Sequence, residues 1–234
     1  MLVQFASMTI EVIARYEPVY RFLKRYEAPE GAIPDFTVSV TDEEIRREAV
    51  EGEDCPIAYL ESLAIYRKIS REALRYQTFL FHGSAIAMDG EGYIFTAPSG
   101  TGKSTHTRLW REVYGDRVVM VNDDKPFLSL RPTGLYVSGT PWDGKHKLST
   151  NITVPVRGIC FLSRGEQNRI APITPGEAYS KMLLQTHRPD DEIGLRSTLL
   201  LLDRAVRETK VYKLQCNMDP EAAVVAYEGM KGRK

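Results

Sequence analysis

The stretch Tyr93-Ile94-Phe95-Thr96-Ala97-Pro98-Ser99-Gly100-Thr101-Gly102-Lys103-Ser104 decides how the rest of this chain is read. Tyr93 to Ala97 is an apolar, β-prone run. A glycine-containing turn follows, and Thr105 to Val113 has helical character. Strand, loop and helix in that order form the context of a phosphate-binding P-loop, or Walker A motif. Glycines at 100 and 102 permit backbone angles that side chains resist, so successive N–H groups can turn into one concavity. The helix starting near Lys103 adds its own free N–H groups and its dipole at the same point. The pattern assigns nucleotide phosphates to Ser99, Gly100, Thr101, Gly102, Lys103, Ser104 and Thr105. Lys103 would reach the β- and γ-phosphates, and the Ser104 hydroxyl would ligate Mg²⁺. One position departs from the motif: Ala97 stands where its first glycine would be.

The bulk properties suit such a protein. At 234 residues, one large domain, or a domain with a small addition, is expected. A hydrophobic content of 43% and a charged content of 26% are those of an ordinary globular protein. Lys+Arg and Asp+Glu balance at 31 each, so no global field draws the chain to nucleic acid or to a membrane. The basic tail Lys231 to Lys234 reads as a solvated end. Cys55, Cys160 and Cys216 are too few and scattered for a disulfide framework, and Cys160 and Cys216 read as buried thiols. Met1 to Tyr16 lacks the pattern of a secretory signal, and the longest aliphatic run, Leu199 to Leu202, is far too short to span a bilayer. A cytoplasmic protein is expected.

In chain order, residues 3–14 read as an edge strand and Pro18 to Tyr26 as a short helix. Phe36 to Val40 alternates as a half-buried strand, and Thr41 with Glu44 forms a capping box that opens a helix. After an acidic loop at 51–56, Tyr59 to Tyr76 has the apolar spacing of a long helix. Residues 1–76 thus read as a small α+β region ahead of a P-loop domain at 77–234. Phe79 to Met88 and Tyr93 to Ala97 read as a hairpin around Asp89-Gly90-Glu91-Gly92, and Phe127 to Leu130 with Leu135 to Val137 as another. Arg117 to Asn122, Ile159 to Leu162 and Val211 to Cys216 read as further strands. Helices are expected at 174–186 and at 190–209, the latter with Leu195, Leu199, Leu202 and Val206 along one face. A last helix is capped by Asp219-Pro220-Glu221.

Phosphoryl transfer is mostly positioning and charge neutralisation. Beyond the cationic loop it needs carboxylate support for a metal and a group that orients or deprotonates the acceptor. Asp123 and Asp124 end the apolar strand downstream of the loop helix. That strand is expected beside the loop strand, with its end pointing at the phosphates. One carboxylate could then serve Mg²⁺ and the other the acceptor hydroxyl. Lys145, in the loop Gly139-Thr140-Pro141-Trp142-Asp143-Gly144-Lys145, is a candidate mobile cation for the transferring phosphate. His106 reads as packing or capping, Arg108 and Arg111 as surface residues, and Trp142 as either a base-stacking or a core residue.

Taken together, His82-Gly83, the turn at 89–92, the loop at 97–104 and Asp123-Asp124 resemble, in that order, the bacterial HPr kinase/phosphorylase family and its phosphoenolpyruvate-carboxykinase-type relatives. The likeness covers about residues 78–165. It implies an α/β fold: a mixed β-sheet P-loop core with flanking helices. It also implies ATP and Mg²⁺ as cofactors, Asp123 as catalytic base, Asp124 as metal carboxylate and His82 as the residue holding them, with the two aspartate roles open to exchange. The activity implied is transfer of the γ-phosphate of ATP to a serine-like hydroxyl. Relatives act on HPr, on free serine or on a serine of a peptide precursor. The family's Arg-rich segment for the reverse reaction has no counterpart here, and residues 1–76 do not resemble its N-terminal domain. The alternatives are a non-catalytic nucleotide-sensing module and a carboxykinase-like enzyme. No nucleic-acid or membrane partner is expected, and a homo-oligomer is compatible with the sequence.

Overall fold

A left-handed turn at Ala6 and Ser7 folds the start of the chain back on itself. In the computed structural model, which describes residues 1–52 and 54–231, this turn joins β1 (Leu2–Phe5) to β2 (Met8–Ile13). Glu53 of the acidic loop and the tail beyond Lys231 therefore lie outside the described residues. The single edge strand expected at 3–14 is a hairpin. Its turn contains neither glycine nor asparagine, so the usual signal for it is missing. After α1 (Glu17–Leu23), strand β3 (Phe36–Ser39) adds parallel to β2 and completes a three-stranded sheet. Helix α2 (Asp42–Arg47) follows Thr41, whose capping box with Glu44 is closed in both directions. Helix α3 (Ile57–Glu72) buries Leu60, Ala64, Ile65 and Ile69 against this sheet. The helical spacing predicted through Tyr76 continues only as a tight 3-10 turn, ended by left-handed Gln77. Phe127 and Trp142, from much later in the chain, complete the same apolar cluster.

The remaining strands are β4 (Thr78–Leu80), β5 (Ser84–Met88), β6 (Glu91–Thr96), β7 (Val118–Asn122), β8 (Phe127–Arg131), β9 (Gly134–Ser138), β10 (Thr153–Arg164), β11 (Arg169–Pro172) and β12 (Val211–Cys216). Helix α4 (Lys103–Tyr114) connects β6 to β7, α5 (Pro175–Gln185) and α6 (Glu192–Glu208) lie between β11 and β12, and α7 (Glu221–Met230) ends the described chain. The strands form one mixed sheet in the order β4-β8-β9-β10-β6-β5-β7, with β12 and β11 added along the far half of β10. Alternate residues of β5 and β6 face opposite apolar layers. Ile86, Tyr93 and Phe95 meet α4 and α7, whereas Ala85, Ala87 and Ile94 belong to the layer containing α5 and α6.

Several expectations change. Phe79 to Met88 is not one strand. The chain leaves β4 at Phe81, passes through His82-Gly83 and enters β5 with different neighbours. Gly83 allows the close approach this requires: a Cβ there would sit 3.1 Å from the Phe95 carbonyl oxygen. The strand carrying Asp123 is not beside the loop strand, because β5 lies between them. Since β5 is antiparallel to both, β6 and β7 run the same way and end at the same edge of the sheet. Helix α6 buries Thr198, Leu201, Leu202, Ala205 and Val206, while Leu195 is exposed. The four consecutive leucines at 199–202 leave its rotational phase unmarked in the sequence. Asp219 does not cap α7 with its side chain, which instead accepts from the Asn217 amide at 2.8 Å. Cys160 is buried and Cys216 half-buried. Among the described residues no helix is long and apolar enough to cross a membrane.

Candidate active site

The glycine-rich loop leaves the C-terminal end of β6 and returns as the first turn of α4. Gly100 and Gly102 have φ of 75° and 122°, and a Cβ on either would meet nothing within 4 Å. Glycine is therefore required by backbone angle rather than by space. The amides of Ser99, Gly100 and Gly102 have no hydrogen-bond partner among the described residues, so the concavity offers free donors. Arg164, at the end of β10, steadies the loop from outside by donating to the Gly100 carbonyl at 2.6 Å and the Thr101 carbonyl at 3.3 Å. Thr101 Oγ1 donates to the Pro98 carbonyl at 2.8 Å. Lys103 Nζ folds back onto the carbonyl of buried Ala97 at 3.0 Å. Burial pushes the Lys103 ammonium below its ordinary pKa, while the charges of Asp124 and Asp123 push it back up. Ser104 is exposed and Thr105 half-buried at the head of the helix.

The acidic pair stands within electrostatic reach of that lysine. Asp123 is buried, and its Oδ1 accepts from Ser84 Oγ at 2.6 Å. Ser84 Oγ lies 3.0 Å from Thr107 Oγ1 on α4, and Thr107 in turn donates to the Ser104 carbonyl at 3.2 Å. Gly144 presses on the same carboxylate: a Cβ there would sit 3.2 Å from Asp123 Oδ2. Asp124 is more open. His82 Nε2 lies 3.4 Å from its Oδ1 and Lys125 Nζ 3.8 Å from its Oδ2. Burial raises the Asp124 carboxyl, but the His82 hydrogen bond and the charges of Lys125, His82 and Lys103 outweigh it and hold the group below its ordinary value.

Two residues that sequence reasoning did not single out hold this arrangement. Gln185, at the end of α5, puts its Oε1 3.1 Å from His82 Nδ1 and its backbone carbonyl 2.7 Å from the His82 amide. Asn122 is fully buried at the end of β7. Its Oδ1 accepts from the amides of Asp124 (2.9 Å) and Lys125 (2.7 Å). Its Nδ2 reaches Thr140 O and Oγ1, both at 3.1 Å, and Trp142 O at 3.4 Å. The only hint in the sequence was its place immediately before two aspartates.

The loop, Asp123, Asp124 and His82 are thus brought together. Lys145 is exposed on a turn closed by the Lys147 amide donating to Gly144, and makes no hydrogen bond or ion pair among the described residues. Trp142 is a core residue: buried, stacked on Tyr66 at 4.6 Å, and donating through Nε1 to the Ser62 carbonyl at 3.0 Å. His106 packs. Its ring meets Phe95 edge-on, its Nε2 accepts from Trp110 Nε1 at 3.1 Å, and burial pushes its pKa down to about 4. Arg108 pairs with Glu112 on the surface of α4.

Two cavities flank the site. One of about 450 Å³ is lined by Gly102, Thr105, His106, Leu162, Arg164 and Met218. The other, of about 370 Å³, is lined by Phe22, Tyr59, Leu63, Asp124, Lys125 and Trp142 among others. Among the described residues no three His, Cys, Asp or Glu side chains converge on one point. Mg²⁺ keeps several waters and binds through one or two protein ligands plus phosphate oxygens. Ser104 and an aspartate would supply the protein ligands, and the free loop amides suit the phosphates.

Comparison with known proteins adds three findings. No curated protein matches the chain. The solved Hpr(Ser) kinase/phosphatase of Coxiella burnetii is matched at 15% identity and a TM-score of 0.35, over 63% of this chain and 91% of that one. The family described as SynChlorMet cassette protein ScmC matches residues 51–188, from the acidic loop before α3 to just past α5, and so takes in the loop, His82, both aspartates and Lys145. This span is more than half of the chain, and the protein belongs to the ScmC family.

Proposed function

We propose that this chain is an ATP-dependent kinase that transfers the γ-phosphoryl group to a serine-like hydroxyl. One observation carries the reading. A loop of unpartnered amides with Lys103 at its end lies within electrostatic reach of two carboxylates delivered to the same sheet edge by a parallel strand. The residue order shared with HPr kinases supports it.

The loop amides and Lys103 would grip the triphosphate, leaving the cavity bordered by Gly102, Thr105 and His106 for the nucleoside. Asp123 is tied through Ser84 and Thr107 to the turn bearing Ser104, so Ser104 and Asp123 would hold Mg²⁺. Held there, the ion would supply positive charge against the phosphates. Asp124, oriented by His82, faces the second cavity and would receive the acceptor's proton. This is the exchanged assignment of the two aspartates. The acceptor oxygen forms a bond to the γ-phosphorus as the bond to the bridging β,γ-oxygen breaks. ADP leaves with that electron pair, and the proton passes to Asp124. Lys145, on the loop that packs on Asp123 through Gly144, is the candidate for a cation that closes over the transferring group.

The test is incubation with γ-labelled ATP and Mg²⁺ against HPr-like proteins, serine peptides and free serine. Label should pass to at least one acceptor, and Asp124→Asn should reduce the rate by about 10²–10⁴ with ATP binding kept. No transfer to any acceptor, with wild type and variant indistinguishable, would refute the proposal. ATP binding without transfer would identify a nucleotide sensor.

A further inference from the structure

We infer that the cavity of about 370 Å³ beside Asp124 is a specificity pocket for an apolar residue flanking the acceptor serine in a peptide. The inference rests on the kinase reading and names the acceptor that this site selects. The cavity lies where α1, α3 and the loop at 141–143 meet the end of β7. Asp124 and Lys125 line it at that end, and Asp124 is also one of the two acids whose charge reaches Lys103. A group filling this space therefore belongs to the molecule whose hydroxyl lies at Asp124. Successive residues of an extended peptide are only about 3.3 Å apart, so that group is the side chain one or two positions from the serine.

The chemistry of the walls selects the occupant. Val19, Phe22, Leu63, Tyr59 and Trp142 present hydrocarbon and aromatic surface, and the charged groups in the lining are Asp124, Lys125 and Asp143. Free serine carries an ammonium and a carboxylate on the carbon next to its hydroxymethyl group. Even with both paired to those charged groups, free serine has no further side chain to cover the apolar walls, whereas a flanking residue of a peptide does. Peptide bonds remove both charges. The floor is already built: Trp142 is stacked on Tyr66, edge-on to Phe22 at 5.6 Å, and tied to the Ser62 carbonyl. A pocket whose side chains are set before binding loses little freedom when it is filled. Tyr59 stands half exposed at its mouth, an aromatic surface with no role in the core.

Matched N-acetylated, C-amidated peptides with serine flanked by Phe, Leu, Gly or Asp provide the test, each assayed for kcat/KM with labelled ATP. The Phe and Leu peptides should be phosphorylated about 10–200-fold more efficiently than the Gly and Asp peptides, the range for filling an apolar pocket. That ratio should fall toward one in Leu63→Asp and in Tyr59→Asp. Tyr59 lies half in solvent, so its variant does not put folding at stake. Equal rates for all flanks, or a preference that survives both substitutions, overturns the inference. If no peptide is phosphorylated, binding decides the matter separately from the kinase reading. In Trp110→Phe, Trp142 is the one remaining indole. Saturable change of its emission by the Phe peptide but not the Asp peptide, abolished by Tyr59→Asp, upholds the pocket. The absence of such a change rejects it.

Discussion

Replacing Asn122 by alanine should separate the loop's grip on nucleotide from the positioning of the acids. The Asn122 side chain is fully buried and makes five polar contacts. Two fix the amides of Asp124 and Lys125, and three tie the strand end to Thr140 and Trp142 on the neighbouring loop. At about 1 kcal/mol net per hydrogen bond, with two amide hydrogens shared among three acceptors, the loss comes to about 4 kcal/mol. Water entering the vacated space would satisfy some of the stranded groups and lower this to no less than about 2 kcal/mol. For a chain of this size each kcal/mol moves Tm by about 2–4 °C, so a fall of about 5–15 °C is expected in thermal melts. The loop at 97–104 makes none of these contacts, so ATP affinity below the melt should stay within a few-fold of wild type. Phosphotransfer should fall by about 10², the cost of displacing a reacting group by roughly 1 Å. Asn122→Asp keeps the acceptor but loses the donors and buries a charge facing two carbonyls, so it should melt lower still. A Tm shift under 2 °C for the alanine variant, or an aspartate variant as stable as wild type, would show that the contacts around Asn122 do not hold the acids.

Three further outcomes are expected. Lys103→Met should weaken ATP binding at least 100-fold by calorimetry and leave Tm unchanged or slightly higher. Its ammonium is half-buried, and its one hydrogen-bond partner among the described residues is the Ala97 carbonyl. Ser84→Ala, which removes the 2.6 Å bond to Asp123, should raise the Mg²⁺ concentration needed for half-maximal transfer and leave the acceptor KM unchanged. Burial holds His106 at about 4, against 6.5 for an ordinary histidine, so between those values the unfolded chain binds a proton that the folded chain does not. Its contribution is intact above pH 6.5 and is lost as pH falls toward 4, on the order of 3 kcal/mol in all. Urea unfolding of His106→Leu at pH 7, 6 and 5 should show a shallower pH slope than wild type, even if the variant is less stable throughout.

Much of the fold could be read because its signals are local. The capping box of Thr41 and Glu44, the Asp89-Gly90 turn with both residues left-handed, and the glycines at 100 and 102 each set backbone geometry within a few residues. Apolar runs placed β7, β10 and β12, although β10 proved to be 12 residues long because it changes partners from β9 to β12 along its length. The hairpin at Ala6-Ser7, the break at His82-Gly83 and the face of α6 were not legible. Each is set by what packs against it from elsewhere in the chain.

By itself the sequence determined the glycine-rich loop, since glycine angles, a lysine and a helix start are written within eight consecutive residues, and it wrote the two acids side by side. Only the tertiary structure decided how these parts meet. Placing β5 between β6 and β7 brings the acids to the loop's edge of the sheet, Gln185 orients His82 across 103 positions of sequence, and Trp142 joins α3 to floor a cavity beside Asp124. The physical reason is one of range. Backbone angle and periodicity are properties of neighbouring residues, whereas the partner of a buried amide or ring is chosen by packing, which no local pattern records.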